Sequence, residues 1–231
     1  MREFISLCIA TFIMTIVFAL FLNYLLFIPI DTAFVYGLII TLVTLIGHEL
    51  VHRFTATLLC NMHAEFRVTS LAIELTLFSI LILCALILLK QYTGFYTYII
   101  PIVASPGAVF IGRMHSNCSD NVASYAPAYN LIVGIVTLMY LYTVTDPPFV
   151  LNDINNYWIT LLALISYFSF ALAFINSLPL KFGDTLALDG WHALNIDPSD
   201  KFVTSIIVAN IVISFIVLFV LGIWVIKIPA G

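Results

Sequence analysis

The sequence predicts an all-α polytopic membrane protein, with about six transmembrane helices and one short membrane-embedded extended segment. Three observations predict it. Of the 231 residues, 63% are hydrophobic and only 9% are charged, against about 25% charged in an ordinary soluble domain. The apolar residues gather into runs of about twenty, the helix length that crosses a hydrocarbon core of about 30 Å. Between 92 and 113 the chain stays apolar, but prolines, glycines and β-formers interrupt it, so it makes a poor continuous helix. A chain of this length fits one membrane-embedded domain over 1–231, with no room for a sizeable soluble domain. The net charge of −4 is thinly spread and includes no basic tract, which excludes a nucleic-acid binder.

The elements follow in order. The first apolar run, residues 4–30, closes at Pro29 and Asp31. It is too long for a signal-peptide core and lacks a small-residue cleavage pattern, so it reads as a retained helix. The second helix spans 33–60, and a polar connection with His63, Glu65 and Arg67 covers 61–70. The third, 71–89, carries Glu74 one turn in and ends at Lys90-Gln91. The stretch 92–113 reads as two extended pieces broken at Ser105-Pro106-Gly107. Such backbone at membrane depth survives only when packed in protein or lining a wet cavity. A polar loop, 114–124, leads to a fourth helix at 125–145 that stops at Asp146-Pro147-Pro148. The fifth helix covers 157–178, a polar connection 179–201, and the sixth helix 202–226. Cys8, Cys60, Cys84 and Cys118 share no ligand spacing and read as small core residues rather than a disulfide framework.

Within the second helix lies Gly47-His48-Glu49-Leu50-Val51-His52. Histidines at i and i+4 share one helix face, close enough for both imidazoles to reach one metal ion. Glu49 stands beside the first of them, where a carboxylate can take a proton from an attacking water. Ionisable groups at this depth are costly and tend to be functional. A catalytic zinc takes three protein ligands, so one more His, Asp or Glu is required. The best candidate stretch is Asn176-Ser177-Leu178-Pro179 followed by Leu188-Asp189-Gly190-Trp191-His192. Pro179 breaks the helix, and Asp189 precedes a glycine that allows a tight turn.

These residues resemble the site-2 proteases, the intramembrane zinc metalloproteases that carry HExxH on one membrane helix and N-x-x-P … D-G on a later one. Both elements occur in order, as His48-Glu49-Leu50-Val51-His52 and as Asn176…Pro179 with Asp189-Gly190. Ala126-Pro127-Ala128-Tyr129-Asn130 looks like the family's G-P-x-x-N helix start, with alanine for glycine. Ser105-Pro106-Gly107-Ala108-Val109 resembles the embedded extended segment of archaeal members. The resemblance covers roughly 33–195, with 4–30 and 202–226 as flanking helices. It implies a Zn2+ ion held by His48, His52 and Asp189, with Glu49 as the catalytic acid–base. It makes Asn176 a donor to substrate or oxyanion, whereas the residues alone allow a helix cap; Asn130 is either a second such contact or a helix–helix hydrogen bond. The Pro179–Asp189 gap is longer than the family's usual spacing. Asp184 lies nearer that spacing and His192 is a stand-by ligand, but Leu188-Asp189-Gly190 matches the end of the motif.

Ligands converge only at one depth, so helices two and five must run parallel, which requires an odd number of crossings between them. A return crossing by 92–113 supplies it. Arg2, Arg53, Arg67, Arg113, Lys181 and Lys201 then share the active-site face, leaving Lys90 and Lys227 opposite. That bias sets the site toward the cytoplasm of an integral membrane protein. The expected partners are the lipid bilayer and a substrate protein with a transmembrane helix. A metal transporter or an inactive helix-binding relative are the alternatives. A CaaX-type membrane peptidase needs a downstream glutamate ligand on a helix, and neither Glu65 nor Glu74 sits in such a motif.

Overall fold

Helices that are apolar all round must bury one face on each other and give the other to lipid. The computed structural model describes residues 2–26, 28–68, scattered positions between 73 and 85, 107–111, 116–146, 149–150, 157–182, 186–196, 200–220 and 226–227. Helix α1 is Arg2–Leu26. Helix α2 is one rod, Ile30–Leu59, with wider π-helical turns at Thr41–Ile46 and Thr55–Leu59 on either side of the regular turns Gly47–Phe54. Strands β1 (Ala64–Val68) and β2 (Gly107–Ile111) form an antiparallel pair. Helix α3 is Ser116–Val144, β3 is Phe149–Val150 and α4 is Tyr157–Ser177. A hairpin of β4 (Lys181–Phe182) and β5 (Leu186–Ala187) leads into the short helix α5, Asp189–Ile196. Helix α6, Lys201–Val220, is followed by β6 (Ile226–Lys227), which pairs in parallel with β3.

Among the described residues, five helices are long and apolar enough to cross a membrane: α1, α2, α3, α4 and α6. Their shared core is built from Met14, Phe18 and Leu22 of α1, Ile40 of α2, Leu141 of α3 and Phe168 of α4, with Phe18 edge-on to Phe168 at 4.7 Å between centroids. Their outward faces carry exposed Phe12, Leu58, Val136 and Phe215. A surface this apolar is covered by lipid rather than water. This is an all-α polytopic membrane protein.

Several features differ from the sequence reading. Helix α3 begins at Ser116, inside the stretch read as a polar loop, and Pro127 lies within the helix rather than at its start. Hydropathy marks only where a helix enters lipid, and the polar turns before Asn121 extend the same helix beyond it. The connection 61–70 holds β1, whose alternation of Ala64, Phe66 and Val68 with Glu65 and Arg67 is a strand period that passes for loop polarity. The sixth helix is described over Lys201–Val220, and Ile226-Lys227, read as helix and its exit, form a strand instead. Cys60 and Cys118, read as unpaired core residues, form a disulfide joining the end of α2 to the start of α3. No spacing announces that bond, because the fold alone brings positions 58 residues apart together. Of the third predicted helix, 71–89, the eight described positions between 73 and 85 are all helical; its other residues, and the extended stretch before Gly107, lie outside the described residues.

The polarity of the bundle is visible in its ends. The C-terminal part of α2, the start of α1, the start of α3, the end of α4 and α5 all meet at one end, around His48 and His52. Helices α2 and α4 therefore run parallel, with α3 antiparallel between them. Because β1 and β2 pair, the chain between them returns to the end it left.

Candidate metal centre

The regular turns Gly47–Phe54 set His48 and His52 on one face, their rings perpendicular at 4.8 Å between centroids. Gly47 permits this position. A Cβ there would overlap the ring of Tyr129 on α3, which donates its hydroxyl to the Val43 carbonyl at 2.9 Å. The glycine thus lets α3 close on the motif, and α3 brings two groups to the histidines. The Val122 carbonyl lies 2.9 Å from His52 Nδ1, and the Asn130 amide 3.1 Å from His48 Nδ1.

The third donor arrives from far along the chain. Helix α4 ends at Ser177, ahead of Pro179. The β4–β5 hairpin then folds back, with Leu188 N–H donating to the Leu180 carbonyl at 3.0 Å. This detour absorbs the long Pro179–Asp189 gap and delivers Asp189 beside the end of α4. Gly190 is needed for contact rather than for a tight turn, since Asp189-Gly190 open α5. A Cβ at Gly190 would overlap the Ser177 carbonyl.

Asp189 Oδ2 stands 3.1 Å from His48 Nε2, and Oδ1 stands 3.2 Å from His52 Nε2. The three donor atoms lie within 4.8 Å of one another, so the group can hold a metal ion. Ligands at about 2.0–2.1 Å around a tetrahedral ion stand about 3.3 Å apart, close to the two imidazole–carboxylate separations. The hydrogen bonding fits as well. With His52 donating its Nδ1–H to Val122, its Nε2 lone pair faces a carboxylate, and a cation between them resolves that opposition. At His48, Asn130 Oδ1 is buried without a partner. A half-turn of this amide lets that oxygen accept the Nδ1–H and leaves Nε2 free as a ligand. Burial raises the Asp189 carboxyl, whereas positive charge on the two imidazoles beside it lowers it below the usual carboxylate range; a cation held between the three groups acts in the same downward direction.

Glu49 is buried at 9% exposure. It lines a pocket between α1, α2 and β1 together with Glu3, Phe4, Leu7, Leu50, Arg53 and Phe66. Asn176 approaches the other nitrogen of His48, Nδ2 to Nε2 at 3.3 Å, whereas Asn130 is wholly buried on the Nδ1 side. His48, His52, Asp189, Asn130 and Asn176 thus meet at one place, with Glu49 next to His48 on the same turn of α2. His192 is not part of the donor group, nor is Glu65, which pairs with Arg67 at 2.8 Å. His63 and Glu74 are exposed. Asp184 lies outside the described residues. Sequence reasoning missed the Val122 carbonyl, for which no side-chain signal exists, and Glu3, which pairs with Arg53 at 3.1 Å across 50 positions.

No protein-family model matches this chain, and neither the curated proteins nor the solved structures include one that does.

Proposed function

We propose that this chain is an intramembrane zinc metalloprotease of the site-2 protease kind, hydrolysing a peptide bond within or near a transmembrane helix of its substrate. One observation carries the reading: His48, His52 and Asp189 converge as a three-donor group, with Glu49 beside them on the same turn of helix. Zinc supplies, when bound there, a Lewis acid that polarises the scissile carbonyl and acidifies water. Glu49 takes a proton from the attacking water as its oxygen adds to the carbonyl carbon. It delivers that proton to the amine nitrogen as the C–N bond breaks. Asn176, on the Nε2 side of His48, donates its amide to the oxyanion. Asn130 and the Val122 carbonyl hold the imidazoles in ligand orientation.

A helical substrate has its carbonyls tied up in hydrogen bonds and must unwind before cleavage, and the β1–β2 pair offers an edge for the unwound strand. A metal transporter needs ionisable groups strung along a path. Among the described residues such groups form one cluster at one level, which favours the protease. The charge bias sets this end toward the cytoplasm.

The test co-reconstitutes the purified chain with a single-span protein whose transmembrane helix is weakened by glycines. Metal content and cleavage products are then read by mass spectrometry. Wild type is expected to hold about one zinc and to cut within the span, and Glu49→Ala to keep the zinc and cut nothing. A wild type without tightly held zinc, or a Glu49→Ala variant that still cuts, overturns the proposal.

A further inference from the structure

Strand β1 has two edges. One is paired with β2 in the register Phe66↔Val109. On the other, the Phe66 N–H donates to Glu3 Oε1 of α1 at 3.3 Å. In an antiparallel pair, N–H groups point alternately toward and away from the partner strand. A third strand would place a backbone carbonyl where the Glu3 oxygen now sits. The same oxygen receives Arg53 Nη1 at 3.1 Å. One carboxylate oxygen thus ties the start of α1 both to the edge of β1 that faces away from β2 and to the residue after His52.

What lies behind this contact gives it meaning. The pocket between α1, α2 and β1 has Glu3, Arg53 and the apolar side chains of Phe4, Leu7, Leu50 and Phe66 on its walls, and it reaches Glu49. Phe66 lines this pocket, so a strand added to β1 there, about 4.8 Å outward, would lie along the wall that Phe4, Leu7, Leu50 and Glu49 share. The ion pair is only half-sheltered, with side-chain exposures of 26% for Glu3 and 44% for Arg53, so it can open without unfolding the bundle.

We propose that Glu3 is a latch on the substrate edge. Its carboxylate imitates a strand carbonyl at Phe66, and an extended, unwound stretch of substrate displaces it, releasing the start of α1 from Arg53 and opening the pocket at Glu49. This inference rests on the metalloprotease reading of the same site. It makes Glu3 the positioning residue that keeps this edge of β1 occupied.

The experiment uses two probes on the zinc-loaded chain in detergent, followed by titration calorimetry. Acetohydroxamate engages the metal alone; a hydroxamate carrying three leucine residues engages the metal and also needs the strand edge. Removing the competing carboxylate in Glu3→Ala is expected to tighten the peptide hydroxamate about tenfold and to leave acetohydroxamate unchanged. Glu3→Gln keeps an oxygen for Phe66 but loses the charge facing Arg53, and should fall between the two. Equal zinc content in all three proteins controls for folding. Equal or weaker peptide-hydroxamate binding by Glu3→Ala, with acetohydroxamate binding intact, overturns the latch and leaves the metal site standing. Failure of acetohydroxamate to bind wild type overturns the underlying metalloprotease reading instead.

Discussion

Gly190→Ala is the sharpest perturbation of this site, because it alters no donor atom. The added methyl would overlap the Ser177 carbonyl and stand 2.9 Å from the Leu178 oxygen. Both obstacles are backbone at the end of α4, so neither can swing aside as a side chain would. Restoring ordinary contact requires the start of α5 to retreat by about 1.4 Å, whereas metal–ligand distances tolerate only about 0.2 Å. Asp189 is the residue immediately before Gly190, so it moves with the helix and the donor triangle opens on one side. Zinc affinity is expected to fall about 100-fold, or about 2.7 kcal/mol, and overpacking should cost about 1–3 kcal/mol of stability. The assay is competition for zinc against a chromophoric chelator in detergent. Gly134→Ala is the control. There a Cβ meets the Phe170 ring at 3.0 Å, in the α3–α4 core rather than at the metal centre, so it should share the stability cost and keep the zinc. A Gly190→Ala protein with zinc affinity within about threefold of wild type would refute the claim that the α4–α5 contact positions Asp189.

Three further outcomes follow from the same geometry. Asn130→Ala removes the group behind His48 and should weaken zinc by about 10–100-fold, while Asn130→Asp, an acceptor at the same place, should retain it; equal loss in both would show that Asn130 acts only through packing. Because Phe66 turns its N–H away from β2, the Glu65–Phe110 and Arg67–Ala108 pairs exchange the ladder bonds. Ala108→Pro should therefore loosen β1 and weaken the peptide hydroxamate, whereas Val109→Pro, on the outward-facing N–H of β2, should not; the reverse order would move the substrate to the β2 edge. Finally, the fold brings Cys60 and Cys118 to bonding distance at the metal-site end of the bundle, and cytosolic conditions would hold even such an apposed pair as thiols. Alkylating intact cells before lysis should find both as thiols if that end faces the cytoplasm, and a disulfide recovered under those conditions would reverse the orientation taken from the positive charges.

The sequence by itself determined the membrane setting, most of the helices and the candidate metal donors. Apolar runs must be buried or lipid-facing, so composition and run length set the membrane class and five described spans. The i, i+4 spacing of His48 and His52 fixes them on one helix face because that geometry is local. Asp189 and Asn176 were legible through the order of motif elements, although nothing local showed how ten residues after Pro179 would return to the site. Only the tertiary structure decided that. A hairpin takes up the extra length, and the missing Cβ of Gly190 sets how closely α5 abuts α4. The Val122 carbonyl, the Glu3–Arg53 contact and the Cys60–Cys118 bond were equally hidden. They join residues 70, 50 and 58 positions apart, and such pairings depend on which helix ends meet rather than on any pattern along the chain. Strand β1 is the intermediate case. Its alternation is written in Ala64–Val68, but a five-residue strand is stable only with a partner, and that partner, β2, comes from beyond the next predicted helix.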